Sequence, residues 1–233
     1  MLSAMFPVRH PMEIEIKNIH KAYGKKNVLN GISLKAQSGR CIGVLGKNGC
    51  GKSTLLSILA GVQRCDSGEF LIDGHPLFTR PADLRRNVGY VPQGTPLIEE
   101  LTARDNLLLW YTREQIEKEL NDGVLKMLGI GDFLKVTVAN MSGGMKKRLS
   151  IGCAMQTRPP VLLLDEPCAA LDIECKENIL NYLRDYKARG GCLILTSHDP
   201  MELEICDECK IMRDGVLQDY HYDGSVAHLV KAL

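Results

Sequence analysis

The sequence predicts an α/β fold with a mainly parallel central sheet, an N-terminal antiparallel β subdomain and an inserted helical subdomain, and three observations predict it. CIGVLG, VLLLDE and CLILTS, beginning at Cys41, Val161 and Cys192, are continuous apolar runs, as expected of strands covered on both faces. Helical patterns lie between them, namely KSTLLSILAG closed by Gly61 and IECKENILNYLRDYKARGG closed by Gly190 and Gly191. Strands alternating with helices argue for an α/β core. The start of the chain has a different texture: EIEIKNI, residues 13–19, alternates apolar and polar side chains, and VLNGISLKA from Val28 does so with Gly31 as a candidate bulge. An antiparallel entry hairpin follows.

Residues 101–156 hold three helical stretches and no convincing strand. LTARDNLLLWY opens on Thr102 as N-cap, with Asp105 three positions later. Residues 12–233 therefore read as one domain, with 12–92 and 157–233 forming the α/β core and β subdomain and 93–156 a helical insertion. After Cys192 the chain returns to strand, helix and the pair KIMRDGVLQDY, whose Asp214 and Gly215 suit a tight hairpin.

Composition bounds the function. Hydrophobic residues at 45% and charged residues at 24% give no case for disorder. With 29 basic against 28 acidic side chains the net charge is +1, so no global field points to nucleic acid, and any anion site must be local. Nine cysteines, an odd number scattered through apolar segments, favour a reducing compartment over a disulfide framework. Cys206 and Cys209 form one CxxC without the second pair that zinc wants, so buried or surface thiols are the expectation. The opening MLSAMFPVRHPM resembles neither a signal peptide nor an anchor, and no window reaches the roughly 18 apolar residues of a membrane span.

GKNGCGKS, residues 46–53, follows an apolar strand and precedes a helix, which is the context a phosphate-binding loop requires. Gly46, Gly49 and Gly51 let the backbone curl with its amides inward, so successive N–H groups and the positive helix end surround a di- or triphosphate. Lys52 would reach the outer phosphates, and the Ser53 hydroxyl would ligate a bridging magnesium ion. VLLLDEP ends a buried strand in two carboxylates, which must face a metal or a polar cleft. Asp165 would hold the magnesium and Glu166 would polarise an attacking water as general base. MSGGMKKR, residues 141–148, places Ser142 as an N-cap with the free amides of Gly143 and Gly144 behind it, a second anion cradle. Alone, that segment reads as an ordinary capped helix.

Read together, these segments resemble the nucleotide-binding subunits of ATP-binding cassette (ABC) transporters, over most of the chain, from Tyr23 to His198. GKNGCGKST matches the family's first nucleotide motif, YVPQ its glutamine loop at Gln93, MSGGM its signature, VLLLDEP its second nucleotide motif, CAALD the following loop with Asp172, and TSH its switch histidine at His198. The resemblance implies ATP and Mg2+ as ligands. It assigns nucleotide contacts to Tyr23, stacking on adenine, to Asn48 and Cys50 within the loop and to Val28 and Thr54 outside it, and adds Gln93 to Ser53 and Asp165 as metal ligands. His198 would orient the γ-phosphate and water. The resemblance also implies a dimer in which Ser142, Gly143, Gly144 and Met145 meet the nucleotide held by a second such subunit, identical or different.

Met145 departs from the pattern, since the family usually has glutamine there. One neutral hydrogen bond is worth about 0.5–1.5 kcal/mol, so sandwiching is expected to survive. The family further implies a separate membrane permease, docked on the apolar segment after Gln93, and a peripheral position on the cytoplasmic face of the membrane. The compact cassette is similar to those of exporters. The alternative from another class is a soluble ATPase of the same superfamily serving iron-sulfur assembly. A small-molecule kinase would leave MSGG and TSH unexplained.

Overall fold

The computed structural model describes residues 11–233; residues 1–10, most of the stretch read above as neither leader nor anchor, lie outside the described residues. Strands β1 (Glu13–Tyr23) and β2 (Lys26–Gln37) pair antiparallel across a two-residue turn. Both run further than their alternating cores. Ile19 pairs with Ile32 and His20 with Asn30, so Gly31, at φ 78°, is the bulge expected there. A second register shift, between Ile16 and Ile19, turns the pattern by one residue and keeps Ile14, Ile16 and Ile19 all buried.

The remaining strands are β3 (Cys41–Leu45), β4 (Ser67–Ile72), β5 (His75–Pro76), β6 (Val88–Val91), β7 (Val161–Asp165), β8 (Cys192–Thr196), β9 (Glu208–Arg213) and β10 (Val216–Tyr220). An antiparallel sheet runs β2-β1-β4-β5 and a second sheet β10-β9-β3-β8-β7-β6. In the second sheet every neighbour is parallel except β9 and β10, which close through Asp214 and Gly215, both at positive φ. The three fully apolar runs are its adjacent strands β3, β8 and β7, buried along their whole length. Strands β4 to β6 carry weaker patterns, being short or interrupted by glycine, and the sequence did not announce them.

The helices are α1 (Lys52–Leu59), α2 (Pro81–Asn87), α3 (Ala103–Leu108), α4 (Arg113–Asp122), α5 (Val124–Met127), α6 (Gly143–Ala154), α7 (Ile173–Ala188), α8 (Pro200–Leu203) and α9 (Val226–Ala232). Thr102 and Asp105 form the expected capping box on α3. Between β6 and β7 there are four helices and two 3-10 turns rather than three helical stretches. The extra break is at Gly123, whose extended backbone ends α4 while the buried Glu119 carboxylate accepts from Val124 N–H at 2.9 Å and starts α5. Leu55, Leu56, Ile58 and Leu59 of α1 pack with Ile42, Val44, Leu163 and Ile194 on one face of the parallel sheet. Leu162, Leu164, Leu193 and Leu195 on the other face join the helical region.

Helix α7 ends as the glycine pair demands, with Gly191 N–H donating to Tyr186 O at 3.0 Å. A Cβ on Gly191 would lie 2.2 Å from the Tyr186 ring, which is buried and anchored by its hydroxyl to Pro159 O at 2.8 Å. Gly191→Ala is therefore expected to destabilise the chain by about 1–3 kcal/mol through overpacking. Urea unfolding checks it, and an unchanged midpoint contradicts it.

Candidate active site

The loop between β3 and α1 takes its shape from three glycines. Gly46, Gly49 and Gly51 sit at φ 152°, 77° and 114°, where other residues are strained, and a Cβ on Gly46 would lie 2.7 Å from Met212 O. The first N–H groups of α1 have no partners within the helix and carry its positive end. Lys52 begins α1, and its buried ammonium reaches back under the loop, donating to Gly46 O at 2.6 Å and Lys47 O at 3.3 Å. The ammonium lies 3.2 Å from His198 Nε2.

Strands β7 and β8 end side by side and present the acids. Thr196 stands between them: its hydroxyl donates to Asp165 Oδ1 at 2.6 Å and accepts from Glu166 N–H at 3.0 Å. Glu166 is a non-glycine residue at φ 47°, a conformation costing on the order of 1–3 kcal/mol that persists only where the surroundings enforce it. That backbone turn brings its carboxylate to Gln93, whose Nε2 donates to Oε2 at 2.8 Å, and leaves Oε1 3.8 Å from His198 Nε2.

Burial first, and the Lys52 charge second, hold the His198 imidazole below its ordinary value of 6.5, against the opposing pull of Glu166. The ring is thus neutral at neutral pH, and its unprotonated Nε2 can accept from Lys52. Protonation as pH falls would set two cations against each other. NMR titration of nucleotide-free protein is expected to place this group below 6.5 and to show it moving up in Lys52→Met. A wild-type value at or above 6.5 contradicts this.

Lys52, Gln93, Glu166 and His198 line one cleft of about 550 Å³. It is also lined by Asn48, Gly49, Gly51, Ser53 and Thr54 of the loop and helix start, and by Tyr23, Lys26 and Val28. Tyr23 is 48% exposed, with its hydroxyl bonded to Gln63 and the Lys21 ammonium 5.6 Å from its ring centroid, so the ring is not consumed by apolar packing. Asp165 lies buried below the cleft, while Gly46 and Cys50 shape the loop without lining it. Ser53 hydroxyl, Asp165 carboxylate and Gln93 amide are all oxygen donors, the set magnesium takes. Sequence reasoning missed Thr196, Lys26 and Gln63; only Thr196 carried a signal, its place in TSH.

The signature residues do not join this cleft. Ser142 caps α6, its hydroxyl accepting from Met145 N–H at 3.2 Å, and both Ser142 and Gly143 are exposed. Gly144 is buried, and a Cβ there would lie 2.5 Å from Cys175 Sγ. Met145, the departure from the family pattern, is partly buried and packs against the apolar core of the helical region. All nine cysteines are free, and burial pushes Cys153 and Cys192 up to about 12. No cluster among the described residues suits a metal through His, Cys, Asp and Glu alone.

A glycine loop under a helix start, a buried lysine and a strained carboxylate at the parallel strand ends define a phosphate-loop nucleoside triphosphatase. The comparisons carry this further. The ABC transporter family profile matches residues 29–169. The linearmycin resistance ATP-binding protein LnrL of Bacillus subtilis (strain 168) is 35% identical, over 87% of this chain and 67% of that protein. A Nod factor export ATP-binding protein I of Rhizobium sp. (strain N33) is 36% identical over 87% of this chain and 68% of its own length.

A solved ATP-binding subunit of an ABC transporter superposes with TM-score 0.82 at 27% identity, covering 94% of this chain and 98% of that one. A dimeric ATP-binding cassette in a post-hydrolysis state with ADP and Pi superposes with TM-score 0.78 at 27% identity, covering 88% and 96%. The chain belongs to the ABC transporter family and is its ATP-binding, ATP-hydrolysing subunit. No helix among the described residues is long and apolar enough to cross a membrane.

Proposed function

We propose that this chain, as one ATPase domain over residues 12–233, works as a dimer of nucleotide-binding subunits that powers a separate membrane permease, exporting its substrate. The observation that carries the reading is the separation of the two amide clusters: the loop around Lys52 lines the cleft, and the exposed α6 start at Ser142 does not. A second subunit resolves this by laying its Ser142, Gly143 and Gly144 over the triphosphate held by the first, with Met145 seating the helix beneath. The dimeric cassette among the solved relatives supports the geometry, and the resistance and export named for LnrL and the Nod factor protein support the direction.

Within each site the loop amides and Lys52 bind the phosphates, Tyr23 stacks on the base, and Val28, Asn48, Cys50 and Thr54 shape the seat. Ser53, Gln93 and Asp165 would hold a magnesium ion, which would supply positive charge to neutralise the phosphates. Glu166 takes a proton from the attacking water while His198, neutral, holds the outer phosphate in line.

The permease contact falls on the helical region, where Ile98, Leu109 and Trp110 are 45%, 57% and 60% exposed. Affinity capture from detergent extracts of the source cells is expected to recover an integral membrane protein. Trp110→Ala is expected to lower that recovery about tenfold, as loss of an aromatic anchor does, with its thermal midpoint unchanged. Recovery of soluble proteins alone contradicts the reading.

A further inference from the structure

Lys147 lies in a run, KKR, that reads as a solvated helix face, yet it is 4% exposed. Its Nζ donates to the carbonyls of Pro92 at 3.1 Å and Gln93 at 3.2 Å. Among the described residues, no carboxylate lies within ion-pair distance of it. A buried ammonium costs several kcal/mol unless hydrogen-bonded, and an apolar side chain of the same length would fill the space without that cost. Two carbonyls of consecutive residues turned onto one cation also fix the course of the backbone between them, immediately after β6. The side chain leaving that backbone is Gln93, which donates to Glu166 Oε2 at 2.8 Å. Lys147 itself stands just over one turn into α6, the helix that Ser142 caps.

We propose that Lys147 is a positioning residue: its ammonium ties the Pro92–Gln93 backbone to α6, so that the placement of the Ser142 helix governs whether Gln93 engages Glu166. The inference rests on the reading above, in which Glu166 is the base and Ser142 meets the partner's nucleotide. It adds a consequence to that reading. A triphosphate seated on Ser142 belongs to the partner's site, so the tether passes the occupancy of one site to the base of the other.

The test uses Lys147→Met, which keeps the packing and removes the donors, and Lys147→Arg, which keeps two donors. In nucleotide-free protein, Lys147→Met is expected to speed amide exchange across residues 93–97 about tenfold, with the 46–53 loop unchanged and Lys147→Arg near wild type. ATP turnover is expected to fall about tenfold in Lys147→Met with KM within about twofold, and Gln93→Ala combined with it to be no slower than Gln93→Ala alone. Unchanged exchange at 93–97, exchange that rises equally throughout the chain, or losses that multiply in the double variant would each overturn the tether. Absence of turnover in the wild type would instead defeat the functional reading, and exchange would still decide the tether.

Discussion

Glu166→Gln is expected to lower ATP turnover by about 10²–10⁴-fold, the contribution of a positioned general base, while leaving nucleotide affinity within a few-fold of wild type. The amide matches the carboxylate in size, so the Gln93 contact at 2.8 Å and the φ of 47° are preserved and only the proton acceptor is lost. In the proposed dimer, where ATP binding closes the pair and hydrolysis reopens it, this variant is expected to accumulate the closed state. Size-exclusion chromatography with saturating MgATP is expected to show a dimer that wild type, turning over, populates less. A Glu166→Gln protein that stays monomeric under those conditions contradicts the sandwich; one that retains wild-type turnover contradicts the base assignment.

Lys52→Met is expected to act on the opposite parameter. The Lys52 ammonium is already buried and pre-aimed by Gly46 O and Lys47 O, so contact with a phosphate would cost little further desolvation. A hydrogen bond to a charged group contributes about 1.5–3 kcal/mol, equivalent to roughly 10–150-fold in affinity. Isothermal titration with a non-hydrolysable ATP analogue reads this directly. Adenosine, which lacks phosphate, is expected to bind the two proteins equally, since the contact proposed for it is at Tyr23. An analogue affinity unchanged by the substitution contradicts the placement of phosphate beside Lys52. The two variants therefore separate binding from chemistry, Lys52→Met weakening the first and Glu166→Gln the second.

Much of the fold and of the cleft was legible before any coordinates. The runs at Cys41, Val161 and Cys192 became adjacent buried strands because a continuous apolar segment of that length has nowhere to go except the middle of a covered sheet. The capping box at Thr102, the bulge at Gly31 and the Asp214–Gly215 turn were equally readable, each being set by a few neighbouring residues. Strand β6 escaped notice: with only four residues, its pattern is too brief to register, although it delivers Gln93 to the site. The break at Gly123 was missed for a different reason, because the carboxylate that starts α5 arrives from Glu119 on the preceding helix.

By itself the sequence determined the chemistry of the nucleotide site, because a phosphate cradle depends on glycine spacing, a helix start and a lysine within eight consecutive residues. Only the tertiary structure decided how that cradle is served. It stationed Thr196 between Asp165 and Glu166, buried Lys147 against the Gln93 backbone, left the Tyr23 ring about half exposed beside Lys21, and kept Ser142 outside the cleft. Those outcomes depend on contacts between residues far apart in the chain, where burial and hydrogen-bond satisfaction are summed over the whole packed molecule and leave no periodic trace in the sequence.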